Sequence, residues 1–283
     1  MNQNRQTGDD CSTQVDFCVP TFKRPKAVER LLLSIAAHYP LANIYVADQN
    51  ETLDREFYGQ LGDKLAKVGL VKDISVEQLP YDCGLSYARN QLVLNSPSPY
   101  KLILDDDHVF TTQTDITKFV RLLEAHPRAG IVGGRVTHNG RDQPFEFNLE
   151  KTGDTLMQVA DGQELEEENG VRYKKTGCVH NFALMRKTLF DHIRWDPELK
   201  VTEHMDFYLR MKEVPYYILY TPDVLIEHPP VERDGDYEGL RRRTEFLARM
   251  LRKHGARRVR YLNGDVREVA DDGSITIYRD PAA

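Results

Sequence analysis

The chain has 283 residues, 29% of them charged and 40% hydrophobic, which is the balance of a soluble globular protein of one large or two small domains. A net charge of −6 gives no global reason to bind nucleic acid or an anionic membrane. No run approaches the ~18 apolar residues of a membrane span, and the polar residues 1–14 lack the apolar core of a secretion signal, so they read as a flexible leader. Cys11, Cys18, Cys83 and Cys178 form no Cys-x-x-Cys pair, so free thiols in a reducing cytoplasm are expected rather than disulfides or a zinc site.

In chain order, residues 15–20 read as a first strand and 21–25 as a loop. Pro25 then opens a helix reaching about His38, with Val28, Leu31, Leu32 and Ile35 on one face and Pro40 beyond its end. Residues 43–47 form a second strand with Asp48 at its C-terminal end, 54–67 a helix, and 74–79 a third strand. This alternation implies a parallel sheet with right-handed crossovers. Gly84 suits a tight turn or a close backbone approach, and 86–94 a helix. Residues 115–125 are an amphipathic helix, and 129–136 a strand that Gly133-Gly134 is expected to kink.

From 137 to 173 the periodicity weakens. Phe145, Phe147, Leu149, Leu156 and Val159 alternate with polar residues, which suggests an antiparallel excursion with an acidic tip at 164–168. Residues 177–185 return to a strand-like pattern, and 203–212 look helical. Residues 216–220 and 224–226 are separate strand candidates around Thr221-Pro222-Asp223. Residues 231–239 read as a mobile loop and 240–253 as a basic amphipathic helix carrying Arg241, Arg242, Arg243, Arg249, Arg252 and Lys253. The tail to Asp280 reads as a small hairpin around Asp272-Gly273. The basic helix offers a possible peripheral membrane contact, against the plainer reading of a solvated face.

The chemistry concentrates at Leu102-Ile103-Leu104-Asp105-Asp106-Asp107-His108. Here an apolar strand runs into three carboxylates at the sheet edge where open α/β folds bind ligands. Strand alternation puts Asp105 and Asp107 on one face, about 6–7 Å apart. A hard divalent ion would relieve their repulsion and could also grip substrate phosphates. The plainer reading is a solvated acidic turn. Thr21, Arg24, Asp48, Asp82 and Arg89 also fall at strand ends on that edge. Each has an ordinary structural role open to it, as helix cap, turn or surface ion pair, but they are placed together.

The order Val-Pro-Thr-Phe-Lys-Arg-Pro at 19–25, Ala-Asp ending at Asp48, Gly-Leu-Ser-Tyr-Ala-Arg-Asn at 84–90 and Leu-Asp-Asp-Asp at 104–107 resembles the family 2 glycosyltransferases of the GT-A type, over about residues 15–229. The segments Cys178-Val179-His180-Asn181-Phe182 and Glu203-His204-Met205-Asp206-Phe207 look like the branch containing ganglioside β-1,4-N-acetylgalactosaminyltransferases. The resemblance implies an α/β fold of GT-A type, with a mixed, mainly parallel Rossmann-like sheet flanked by helices and a C-terminal helix and hairpin appendage. The expected division is a leader (1–14), a catalytic domain (15–235, with a donor half 15–110 and an acceptor half 111–235) and a tail (236–283).

The same resemblance implies a nucleotide-diphospho-sugar donor, with UDP favoured, a Mn²⁺ or Mg²⁺ ion, and inverting transfer to a glycan, glycolipid or other hydroxyl acceptor. Pro20, Thr21, Arg24 and Asp48 would hold base and ribose. Asp82 and Arg89 would lie by the donor, Asp106 would touch ribose or sugar, and Asp105, Asp107 and His228 would hold the ion. The loop 231–239 would close over the donor. The family's adjacent Glu-Asp base pair is missing, and Glu203-His204-Met205-Asp206 stands in its place. Asp206 is expected to be the general base, with Glu203 as its rival on the same helix face. His180 and Asn181 line the pocket or satisfy a turn, and Trp195 stacks on an acceptor sugar or packs in the core. The location implied is cytoplasmic, possibly at the inner face of a membrane. A sugar-phosphate nucleotidyltransferase and a non-catalytic sugar-nucleotide-binding protein are the alternatives. The first is disfavoured by the absence of glycine from Pro20-Thr21-Phe22-Lys23-Arg24-Pro25.

Overall fold

The computed structural model describes residues 11–231, 239–240 and 242–280. Most of the leader, most of the loop expected as a lid, and Arg241 lie outside the described residues. Strand β1 (Val15–Thr21) is wholly buried and lies between β2 (Asn43–Asp48) and β4 (Tyr100–Ile103), parallel to both. β3 (Ser75–Gln78) extends the parallel run beyond β2. Helices cross between these strands: α1 (Pro25–His38), α2 (Arg55–Val68) and α3 (Leu85–Asn95). Pro25 starts α1, where a missing N–H costs nothing. The Asp54 side chain caps α2 at the Phe57 amide, 2.9 Å away, and Gly69 closes that helix in a left-handed conformation at φ +116°.

Beyond β4 the chain adds α4 (Thr117–Ala125), β5 (Ala129–His138), β6 (Arg141–Asp142), β7 (Asn148–Thr152), β8 (Thr155–Val159), β9 (Glu166–Glu168), β10 (Val171–Thr176) and β11 (Ala183–Arg186). α5 (Glu203–Arg210) and β12 (Tyr217–Glu227) follow. The large sheet runs β3-β2-β1-β4-β11-β5-β12-β10-β9, with β6 on β5. β11 enters antiparallel between β4 and β5, which makes the sheet mixed. Apolar side chains cover both faces. Phe17, Leu31, Phe119 and Leu219 are buried on one side, and Cys18, Ile103, Phe190 and Trp195 on the other. Cys18 and Cys178 are free and buried, as expected, and burial pushes the Cys18 thiol up to about 12.

The tail contributes α6 (Glu245–Lys253), β13 (Arg258–Arg260), β14 (Asp265–Val269) and β15 (Ile275–Arg279). The expected hairpin is present, and it continues into a five-stranded sheet in the order β15-β14-β13-β8-β7. β13 pairs parallel with β8, which belongs to the expected antiparallel excursion. α6 buries Phe246, Leu247, Met250 and Leu251. Its cations meet carboxylates of the same chain: Arg249 meets Glu198 at 3.1 Å, and Lys253 meets Asp196 at 2.5 Å and Asp206 at 2.8 Å. No helix among the described residues is long and apolar enough to cross a membrane.

Three local expectations change. β5 runs without a break through Gly133 and Gly134, and these glycines serve close packing instead of a kink. A Cβ at Gly133 would lie 2.4 Å from the Val179 side chain, and one at Gly134 would lie 2.6 Å from Phe182. The two strand candidates around Pro222 are one strand, β12, irregular in register between Tyr220 and Leu225. β4 ends at Ile103, so the three carboxylates stand on a turn beyond it, and strict strand alternation does not govern them.

Candidate functional site at the carboxyl edge of the sheet

Parallel pairing brings Thr21 level with Asp48, and Asp48 level with Gln78. The Leu104 amide still bonds to the Cys18 carbonyl at 3.1 Å, so the acidic turn rises beside the end of β1. Thr21 Oγ1 donates to Asp106 at 2.7 Å. Arg24 spans two carboxylates, donating to Asp107 at 2.5 Å and to Asp106. Asp48 accepts from Tyr58 Oη and from the Asn50 amide, both at 2.8 Å. Residues 109 and 227 exchange backbone bonds of 2.8 and 3.1 Å, and these deliver His228 to the turn. His228 Nε2 lies 3.2 Å from Asp107 Oδ2.

Three carboxylates share this turn, and their protonation diverges. Burial raises Asp106 to about 7, against Arg24, which lowers it, while Asp107 adds to the rise. Burial also works against Asp107, but the His228 hydrogen bond and Arg24 outweigh it and hold that carboxyl well below the usual range. The same contact with Asp107 raises His228.

Asp105 and Asp107 do not share a face as expected, because the chain has turned. Asp105 instead accepts from Arg89 at 3.1 Å and from Asn181 at 2.9 Å. Asp107 with His228 is therefore the better-placed donor pair for an ion. Adjacent ligands of an octahedral ion with bonds of about 2.1 Å lie about 3 Å apart, which is close to their separation. Among the described residues no three His, Cys, Asp or Glu side chains form a metal cage. The pair suits an ion whose shell is completed by water and substrate phosphates, the usual arrangement for Mg²⁺-type sites.

The segment 84–90 clamps the loop that precedes α5. Gly84, at φ +91°, lets Lys200 approach so closely that a Cβ would lie 2.6 Å from the Lys200 Cα. Ser86 Oγ donates to the Leu199 carbonyl at 2.6 Å, and the Asn90 side chain bonds the Trp195 backbone at 2.8 and 3.1 Å. Arg89, fully buried, reaches Glu203 at 2.6 Å as well as Asp105. Burial alone would raise Glu203, but Arg89 and His204 more than offset it, so the carboxyl lies below its usual range. Trp195 packs in the core, stacked on Phe207 at 4.7 Å.

Asp206, the favoured base in the sequence reading, is not at this edge. It is 0% exposed and enclosed by Arg210 at 2.7 Å, Lys253 at 2.8 Å and His254 at 2.9 Å. Glu203 and Asp206 share a helix but meet different partners, and of the two Glu203 is the one that Arg89 joins to Asp105. Asp82 lines a cleft with Pro20, Thr21, Arg24 and Asp106. It is bound by Lys200 at 3.0 Å and by Arg243 at 2.8 and 2.9 Å.

Sequence reasoning missed Gln49, Lys200 and Arg243. Gln49 Oε1 accepts the Gly84 amide at 2.9 Å. It follows Asp48, so the same strand-end argument would have reached it. Arg243 falls on the basic face of its segment, and nothing there announces Asp82, 161 residues earlier.

The family model described as glycosyl transferase family 2 matches residues 16–194. The chain belongs to glycosyl transferase family 2, and its fold is of the GT-A type. It is 28% identical over 213 residues to the rat protein named beta-1,4 N-acetylgalactosaminyltransferase 1, an alignment covering 70% of this chain and 36% of the rat protein. It is also 28% identical over 199 residues to mouse beta-1,4 N-acetylgalactosaminyltransferase 2, covering 69% and 35%. The chain thus spans about a third of the length of these curated relatives. Among solved structures, S. aureus TarS 1–349 in complex with UDP aligns with a TM-score of 0.54 and 17% identity, over 83% of this chain and 64% of that one. GalNAc-T7 with UDP, GalNAc and Mn²⁺ aligns with a TM-score of 0.59 and 13% identity, over 76% and 44%.

Proposed function

We propose that this chain is an inverting glycosyltransferase that moves a hexosyl or N-acetylhexosaminyl group from a UDP-sugar to an acceptor hydroxyl. One observation carries the reading. A single sheet edge holds Asp107 with His228 and Arg24 on one side, and Glu203 bound through Arg89 to Asp105 on the other. The N-acetylgalactosaminyltransferase relatives and the UDP found with the structural neighbours favour UDP and an N-acetylhexosamine.

In this reading Thr21 and Asp48 face the nucleoside, while Arg24, Lys200 and Arg243 surround the diphosphate cleft. A divalent ion held by Asp107 and His228 would neutralise charge developing on the departing UDP. Glu203 stays ionised at neutral pH and takes the proton of the acceptor hydroxyl as that oxygen attacks the anomeric carbon. The bond from the anomeric carbon to the UDP oxygen breaks, and UDP departs with the bonding pair. Arg89 orients Glu203 and balances its charge against Asp105.

The test is a thermal-shift titration with UDP, GDP and CMP, each with and without Mn²⁺. Ligand bound to the folded state raises the melting temperature by mass action. The expected result is a UDP shift that requires Mn²⁺ and disappears in Asp107→Ala. No shift with any nucleotide under either condition overturns the donor-site reading.

A further inference from the structure

Beside Glu203 lies a group of rings that the transfer chemistry does not use. Phe145 and His180 lie with centroids 4.7 Å apart and planes tilted by 31°, and His204 meets Phe145 edge-on at 5.7 Å. All three are half-buried. Phe147 meets Phe145 edge-on at 4.9 Å and is itself buried, so the half-buried rings rest on a fixed floor. Its two ends reach the reacting groups. His204 Nδ1 is 3.6 Å from Glu203 Oε1, and His180 is followed directly by Asn181, which holds Asp105.

The polar edge of this platform is defined as well. His180 Nε2 lies 2.6 Å from the Gln143 carbonyl oxygen. A carbonyl can only accept, so Nε2 carries the proton. Burial holds this ring down to about 4, so it is neutral at working pH, and Nδ1 is an acceptor. Half-buried aromatic rings beside a ring nitrogen that accepts suit a ligand that has an apolar C–H face and a hydroxyl edge.

We propose that Phe145, His180 and His204 form the acceptor subsite, and that it takes a pyranose ring, so the acceptor is a glycan or glycoside. The assignment rests on the glycosyltransferase reading above. The sugar lies with its C–H face on the rings and one hydroxyl toward His180 Nδ1, and this aims a second hydroxyl at Glu203.

The experiment offers the protein UDP-GalNAc, UDP-GlcNAc and UDP-Gal with Mn²⁺. The acceptors are p-nitrophenyl β-galactoside, β-glucoside and N-acetyl-β-glucosaminide, with glycerol and a Ser/Thr peptide as non-sugar hydroxyls. In parallel, saturation-transfer NMR reads binding of each glycoside without donor. The expected result is transfer to at least one glycoside, with saturation strongest on its C–H face. Phe145→Leu keeps apolar bulk but removes the ring. It is expected to raise the glycoside KM between about threefold and tenfold and to lower the ratio of transfer to donor hydrolysis. Transfer to the peptide or glycerol in preference to every glycoside overturns the inference, as does a glycoside KM unmoved by Phe145→Leu. Donor hydrolysis without glycoside transfer or glycoside binding overturns it while leaving the proposed function standing. Absence of both UDP binding and donor hydrolysis removes the proposed function instead. In that case NMR binding of glycosides that Phe145→Leu abolishes still supports a sugar-binding face, and no glycoside binding overturns it.

Discussion

Asp206→Asn separates a structural carboxylate from a catalytic one. Asp206 is 0% exposed and bonds Arg210 of its own helix together with Lys253 and His254, and these side chains are 23%, 34% and 17% exposed. Removing one partner of a buried ion pair costs about 3–5 kcal/mol. Here the stranded partners can turn toward water, so the low end, about 3 kcal/mol, is expected. At roughly 2–4 °C per kcal/mol for a chain near this size, that is a fall in Tm of roughly 6–12 °C.

Burial opposes the charge on Asp206, but its hydrogen bonds to His254, Arg210 and Lys253 prevail and hold the folded-state pKa well below the usual range. A carboxyl depressed on folding stabilises the protein above its unfolded pKa of about 3.9, and that contribution fades as pH falls further. The stability gap between wild type and Asp206→Asn should therefore be constant above about pH 5 and narrow below pH 4. Urea titrations at pH 7 and pH 3.5 measure it. Turnover by Asp206→Asn, assayed well below its Tm, should stay within about threefold of wild type, whereas Glu203→Gln should lose roughly 10²–10⁴-fold in kcat. A hundredfold loss of kcat in Asp206→Asn with an unchanged urea curve would refute both the assignment and the geometry behind it.

Gly84→Ala should destabilise by about 2 kcal/mol or more, since it combines a left-handed backbone with a clash against the Lys200 main chain; denaturant midpoints measure it. His228→Ala should raise the Mn²⁺ concentration for half-maximal activity by about 10–100-fold, read by metal titration after chelation. Lys101 and Asp16 form an ion pair at 2.6 Å with both side chains 0% exposed. Lys101→Met alone should cost about 3–5 kcal/mol. Lys101→Met combined with Asp16→Leu should recover much of that loss, as a double-mutant cycle by urea unfolding would show.

The β-α alternation from Val15 to Asn95 was legible because each element carries its own period and its own stops. Pro25 and Pro40 bracket α1, and Asp54 caps α2. The edge bearing Thr21, Asp48 and Asp105 followed from parallel pairing alone. The facing of Asp105 was not legible, because a strand that stops at Ile103 and one that continues to His108 read alike in sequence. The different surroundings of Glu203 and Asp206 were not legible either, for another reason. Helix spacing puts both on one face, but their partners, Arg89 and Lys253, come from segments 114 residues before Glu203 and 47 after Asp206. Such long-range pairing leaves no local trace. The same holds for Gly84, whose near contact is Lys200.

The parallel pairing of β8 with β13 joins segments about a hundred residues apart. During synthesis at roughly 5–20 residues per second, β8 leaves the ribosome roughly 5–20 s before its partner exists. Until then its hairpin with β7 presents an open edge, the kind of surface that templates pairing between chains. Vectorial folding would therefore complete the large sheet first and the small one last, and the interval between them is when nascent chains are most exposed to misassociation. Slowing elongation across α6 would lengthen that interval, and a binder that holds the β8 edge during it would raise the yield of soluble protein without touching the finished fold.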